Sequence, residues 1–200
     1  MSTMKIRLLQ TAGVVAGVAI WATATALVIG QGERPALSPA DSKVVADFQV
    51  RVADYVKLHE KIESSLKPLP KDATPQQVDA VQRQLMAGIV AARAGAKPGD
   101  IFTPEAQAYF RKVLTAQFAG KEGAEKRASI LDENPIGTPV RINGPYPDAI
   151  PLSTMPPTVI QALPKLPEQL EFRFIGDRLI LFDHHAHLMV DYVDRALPRG

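Results

Sequence analysis

The chain of 200 residues contains no cysteine. That absence excludes disulfides, thiolate metal centres and cysteine nucleophiles, and it is compatible with an oxidising compartment. A surplus of charge is lacking as well. The formal +2 comes from Lys5 and Arg7, and from Leu27 onward basic and acidic residues balance at 21 each. A neutral body carries no electrostatic footprint for nucleic acid, so that partner class is set aside. No glycine-rich run leads into Lys-Ser or Lys-Thr, which leaves no phosphate loop, and no Gly-x-Ser-x-Gly elbow supports a hydrolase serine. Repeats with periods of about 20 to 50 residues are missing too.

One long uncharged run is present. Lys5 and Arg7 precede Leu8–Gly30, the layout of an export signal: basic end, apolar middle, small residues. Ala24-Thr25-Ala26 and Ala22-Thr23-Ala24 both fit a small-x-small cleavage site. The run exceeds the ~7–15-residue core of a signal peptide and reaches the ~20 residues of a membrane span. Residues 1–30 therefore read as a signal peptide or as a retained signal anchor, a transmembrane helix. The basic end stays inside, so residues 31–200 are expected outside the cytoplasm, periplasmic or anchored in the inner membrane. Membrane contact is expected only through residues 8–30.

Residues 31–37 form a polar tether, and 38–200 read as a single exported domain. Its first part, 38–130, is helical. Ser38-Pro39 with Asp41 is a helix start, followed by Val45, Phe48, Val52, Tyr55, His59, Ile62 and Leu66 at alternating spacings of three and four. Lys67-Pro68-Leu69-Pro70 ends this helix, which would be roughly 40 Å long at 1.5 Å per residue. Thr74-Pro75-Gln76-Gln77 opens a second helix with Val78, Val81, Leu85, Ile89 and Ala92 on one side. Thr103-Pro104-Glu105 opens a third, carrying Ala106, Tyr109, Phe110, Val113, Leu114 and Phe118 at helical spacing. Gly120 closes it. The charged stretch Lys121–Ser129 has room for a fourth helix, although three packing together is the economical reading.

Residues 131–168 form a proline-rich arm. Nine of the chain's 17 prolines fall between Pro135 and Pro167, too dense for a long helix or a central strand. The apolar residues spread along it argue for an ordered, extended arm clamped to the body, with one short helix after Thr154.

Residues 169–200 read as a β-hairpin followed by a short terminal helix. A two-residue turn at Gly176-Asp177 would pair Ile175 with Arg178, Phe174 with Leu179, Phe172 with Leu181 and Leu170 with Asp183. Leu170, Phe172, Phe174, Leu179 and Leu181 would then share one apolar face, to be covered by the helices. Glu171, Arg173, Ile180 and Phe182 would form a half-wet opposite face. The expected class is α+β: a three-helix body, an extended arm, and a C-terminal hairpin with a short helix.

Gly99-Asp-Ile-Phe-Thr-Pro104, Pro151-Leu-Ser-Thr-Met-Pro-Pro157 and Leu170-Glu-Phe-Arg-Phe-Ile-Gly176 resemble blocks in a group of uncharacterised exported bacterial proteins. The resemblance spans roughly residues 45–195. It implies an exported single unit and carries no assigned activity.

Asp183-His184-His185-Ala186-His187 is the constellation with chemical content, since three of the four histidines sit within it. Imidazole is the commonest metal ligand and carboxylate a frequent companion. A continuing strand would point Asp183, His185 and His187 the same way. A helix capped by Asp183 would instead align His184, His187 and Asp191, and Leu188, Met189, Tyr192, Val193, Ala196 and Leu197 recur as a helical face should. In that favoured helix His185 turns inward, and His187 with Asp191 forms an ordinary i, i+4 surface pair. His59, alone on the apolar stripe of the first helix, reads as a hydrogen-bonded core residue or as an outside member of the downstream cluster.

Two functions follow. The first is a non-enzymatic envelope protein, without a cofactor, that binds or scaffolds another component: another envelope protein, or a second copy through the first long helix, would be the partner. The second is a metal-dependent site, enzyme or metal binder, holding a divalent ion such as zinc at His184, His185, His187 and Asp191 with His59. The absence of catalytic motifs leans against an enzyme.

Overall fold

Ser38, Thr74 and Thr103 each stand before a proline, and each begins a helix. In the computed structural model, which describes residues 37–133, 137–148, 150, 151 and 155–198, these are α1 (Pro39–Glu63), α2 (Pro75–Ala92) and α3 (Pro104–Gln117). The hydroxyls of Ser38 and Thr103 accept from Asp41 N and Ala106 N, and Thr74 with Gln77 forms a reciprocal capping box. Proline at the first helical position has no amide hydrogen to leave unpaired. The described residues belong to one unit, Arg34–Gly200. The expected leader, residues 1–30, lies outside the described residues. Among the described residues no helix is long and apolar enough to cross a membrane.

The stripe of α1 is taken up by the core. Phe48, Val52, Tyr55 and His59 are buried, with Val45, Ile62 and Leu66 packed at its edge. A fourth helix, α4 (Gly120–Glu133), follows α3 directly. Its Gly123 lies so close to the Phe118 main chain that a Cβ there would overlap it. The short helix expected after Thr154 is α5 (Pro157–Ala162).

Four antiparallel strands form one sheet in the order β1-β4-β3-β2: β1 (Gly144–Pro145), β2 (Leu170–Ile175), β3 (Arg178–Asp183) and β4 (Leu188–Val193). The β2–β3 register is the one the turn predicts, from Ile175 opposite Arg178 to Leu170 opposite Asp183. Gly176 takes φ 57°, as a glycine-first hairpin turn requires. Leu170, Phe172, Phe174, Leu179 and Leu181 are all buried against the helices. Phe172 stacks with Phe48 and meets Phe110, while Phe174 meets Phe118 edge-on. Each ring so buried contributes about 1.5–3 kcal/mol.

Two expectations are corrected. The terminal helix is instead β4, which pairs with β3 through a bulge, Leu181 opposite Asp191 and Phe182 opposite Met189. A run buried on both faces looks the same to a helical and to a strand period, and pairing with β3 decides it. The second sheet face is half-wet only along β2, where Glu171 and Arg173 are part-exposed, and is covered elsewhere. Ile175, Ile180, Phe182 and Met189 pack there with Tyr146 of the arm, and Val140, Ile150 and Tyr192 flank them. The arm thus gives the hairpin its second cover, with proline in the ladder only on edge strand β1.

Candidate metal centre

Tyr55, His59 and Glu63 are spaced four apart in the second half of α1, so they lie one above another on the same side. That side meets the C-terminal end of β3 and the four-residue loop His184–His187 that joins β3 to β4. His59 is fully buried. Its Nδ1 lies 2.6 Å from Asp183 Oδ2, itself fully buried, and the Tyr55 hydroxyl donates to the same oxygen at 2.6 Å. The other oxygen, Oδ1, accepts from Ala186 N at 2.9 Å and closes the loop.

On the far side of the ring, His59 Nε2 is buried and has no hydrogen-bond partner among the described residues. It points toward Glu63, whose Oε2 is 3.4 Å away, while Glu63 Oε1 is 3.3 Å from His185 Nδ1. The His59 and His185 rings lie 5.5 Å apart between centroids. One donor atom from each of His59, Glu63 and His185 lies within 4.8 Å of the others. A tetrahedral ion bound at about 2.0–2.2 Å holds its donors some 3–4 Å apart. Glu63 and His185 are part-exposed, so they can close the small remainder without disturbing the core.

Charge follows the same geometry. Burial pushes the Asp183 carboxyl up, but hydrogen bonds from His59, Tyr55 and Ala186 hold it below its usual value, so it is ionised at neutral pH. Burial also drives the Tyr55 phenol far up, helped by the Asp183 charge, which keeps it a donor. For His59, burial opposes a charge, yet Asp183 and Glu63 overcome it and the net shift is upward.

The remaining sequence candidates go elsewhere. His184 Nε2 meets the Glu168 carbonyl at 2.6 Å. His187, at φ 51°, turns to the other sheet face, where its ring meets Tyr146 and Phe182 and its Nε2 is 3.4 Å from Asp148. Asp191 is buried and accepts from Gly99 N, Ile101 N and Phe102 N at 3.1, 2.9 and 2.8 Å, so it anchors the loop before α3. No His187–Asp191 surface pair forms, because Asp191 sits in a strand and not on a helix. His59 and His185 are brought together as the outside-member reading expected, and Glu63 joins them unforeseen. Its signal was present: His59-x-x-x-Glu63 places two ligand types on one helical face.

No protein-family model, curated protein or solved structure matches this chain. Its class rests on fold and side chains: an α+β domain in which α1 and the β3–β4 loop converge on two imidazoles and a carboxylate.

Proposed function

We propose that this chain is an exported metal-binding domain that holds a divalent first-row transition ion, zinc the foremost, at His59 Nε2, His185 Nδ1 and the Glu63 carboxylate. The observation that carries the reading is His59. A buried imidazole whose Nδ1 is engaged by a carboxylate and whose Nε2 has no hydrogen-bond partner among the described residues has the arrangement of a metal ligand with its supporting carboxylate. The Glu63 carboxylate faces this nitrogen at 3.4 Å without a well-formed hydrogen bond, a gap that an ion held between the two would fill. Two imidazoles and a carboxylate suit borderline ions such as zinc, and the lack of any thiolate disfavours the softest ones. Three protein ligands leave a tetrahedral ion one further position, for water or another molecule.

Export is part of the same proposal. Lys5 and Arg7 before the uncharged run Leu8–Gly30 support it, as does the resemblance to exported bacterial proteins. Fusion of a reporter active only outside the cytoplasm to the C-terminus should give signal, and deletion of residues 1–30 should abolish it.

The metal reading is tested by elemental analysis and Co(II) titration of the purified full chain. One equivalent per chain is expected, lost in Glu63→Ala and His185→Ala and retained in His187→Ala. A chain that takes up no ion, and whose melting is unmoved by zinc, overturns it.

A further inference from the structure

A carboxylate that touches both histidine-bearing elements can do more than join them. Asp183 sits at the end of β3, opposite Leu188 in the ladder, so its main chain is held by the sheet. Its Oδ2 receives the His59 and Tyr55 donors from α1, and its Oδ1 receives Ala186 N, the amide next to His185. We propose that Asp183 is the positioning residue of the centre, setting the ring and proton of His59 with one oxygen and the backbone beneath His185 with the other. This rests on the metal reading above.

The chemistry is a matter of donors and acceptors. An ionised carboxylate accepts only, so the proton of a neutral His59 must be on Nδ1, and the Nε2 lone pair is left for an ion. Without that acceptor the imidazole is free to carry its proton on Nε2, where it blocks coordination. Asparagine cannot substitute cleanly. Three donors surround Asp183, and an amide offers one oxygen and one NH2 group. If the oxygen faces His59 and Tyr55, the NH2 group confronts Ala186 N–H and the loop carrying His185 is pushed away. If the oxygen faces Ala186, the NH2 group donates to His59 Nδ1 and drives the proton to Nε2. Either arrangement harms one ligand.

Tyr55→Phe separates this from a merely structural tether. It removes a buried hydrogen bond from the same oxygen but leaves both ligand contacts of Asp183 in place. Co(II) affinity of the full chain is measured for wild type, Asp183→Asn and Tyr55→Phe, alongside 15N-histidine NMR of the metal-free wild type at alkaline pH. Asp183→Asn should bind Co(II) about 10–100-fold more weakly, the usual effect of losing an outer partner. Tyr55→Phe should stay within about threefold of wild type, and neutral His59 should carry its proton on Nδ1. Equal binding by wild type and a folded Asp183→Asn overturns the positioning role while leaving the metal reading intact. A wild type that binds no Co(II) overturns both. Should Asp183→Asn fail to fold, the NMR spectrum decides: a proton on Nε2 of wild-type His59 overturns the proposal.

Discussion

His59 Nδ1 and Asp183 Oδ2 lie 2.6 Å apart with both side chains fully buried, although 124 positions separate them in the chain. This contact ties the C-terminal part of α1 to the end of β3. Its protonation gives the fold a pH profile with a definite sign. Asp183 titrates below its usual value near 3.8, so its contribution is present above that value and is lost as pH falls through the folded pKa. His59 titrates above its usual 6.5, so its contribution is present below that value and is lost as pH rises through its folded pKa. Metal-free protein in chelator should therefore show a stability plateau from this pair between about pH 4 and 6.5. Urea midpoints across pH should fall on both sides, and His59→Gln should flatten the alkaline side. A profile unchanged by His59→Gln would contradict the assignment.

Glu63 offers a cleaner variant than His59, because its side chain is 44% exposed and outside the core. Glu63→Ala should lower metal-free stability by no more than about 1 kcal/mol, because its carboxylate faces His59 Nε2 and His185 Nδ1 from a half-exposed position. Wild type should gain about 2.7 kcal/mol when zinc is present at a hundred times its dissociation constant. Glu63→Ala should lose most of that gain. Thermal melts with and without zinc make the comparison.

Asp191 predicts the opposite pattern. Replacing it with asparagine leaves an amide among four main-chain N–H donors, Gly99, Ile101, Phe102 and Tyr192, where a carboxylate had accepted from all four. Bonds to a charged acceptor are each worth about 1.5–3 kcal/mol, so a loss near 3 kcal/mol is expected. Chemical denaturation reads the loss, while the Co(II) stoichiometry of the folded protein should not change. A lost ion with intact stability would make Asp191 a ligand after all.

Gly123 tests the packing of α4 on the end of α3. A Cβ at this position overlaps Phe118 main-chain atoms, which cannot swing aside as a side-chain tip can. The intrinsic helix preference favours alanine by about 1 kcal/mol. Overpacking costs about 1–3 kcal/mol, more when backbone must move, so Gly123→Ala should lower the melting temperature. A rise would show that α4 can shift freely.

Much of this architecture is local and therefore legible in one dimension. Capping side chains before proline mark the starts of α1, α2 and α3, and Gly176 between two β-type runs determines the β2–β3 pairing residue by residue. The stretch after His187 is different. Leu188 to Leu197 satisfies a helical period, yet Leu188, Met189 and Val190 are all buried, which a half-exposed helix would not allow. Pairing with β3 and cover on both faces outweigh that period. Asp191, in a buried strand, misleads for the same reason: three of its four amide partners lie some 90 positions earlier.

Residue types and their spacing along the chain determined the α+β class, the helix starts, the hairpin register and the suspicion attached to His59 and the downstream histidines. Those features depend on neighbours within a few positions, where backbone preference and side-chain period act directly. Tertiary structure alone decided that β4 is a strand, that the arm covers the second sheet face, and that Glu63 and His185 meet His59 while His184, His187 and Asp191 do not. Each of those outcomes depends on which distant groups satisfy a buried polar atom or cover an apolar one, and that is settled when helices and sheet close on each other.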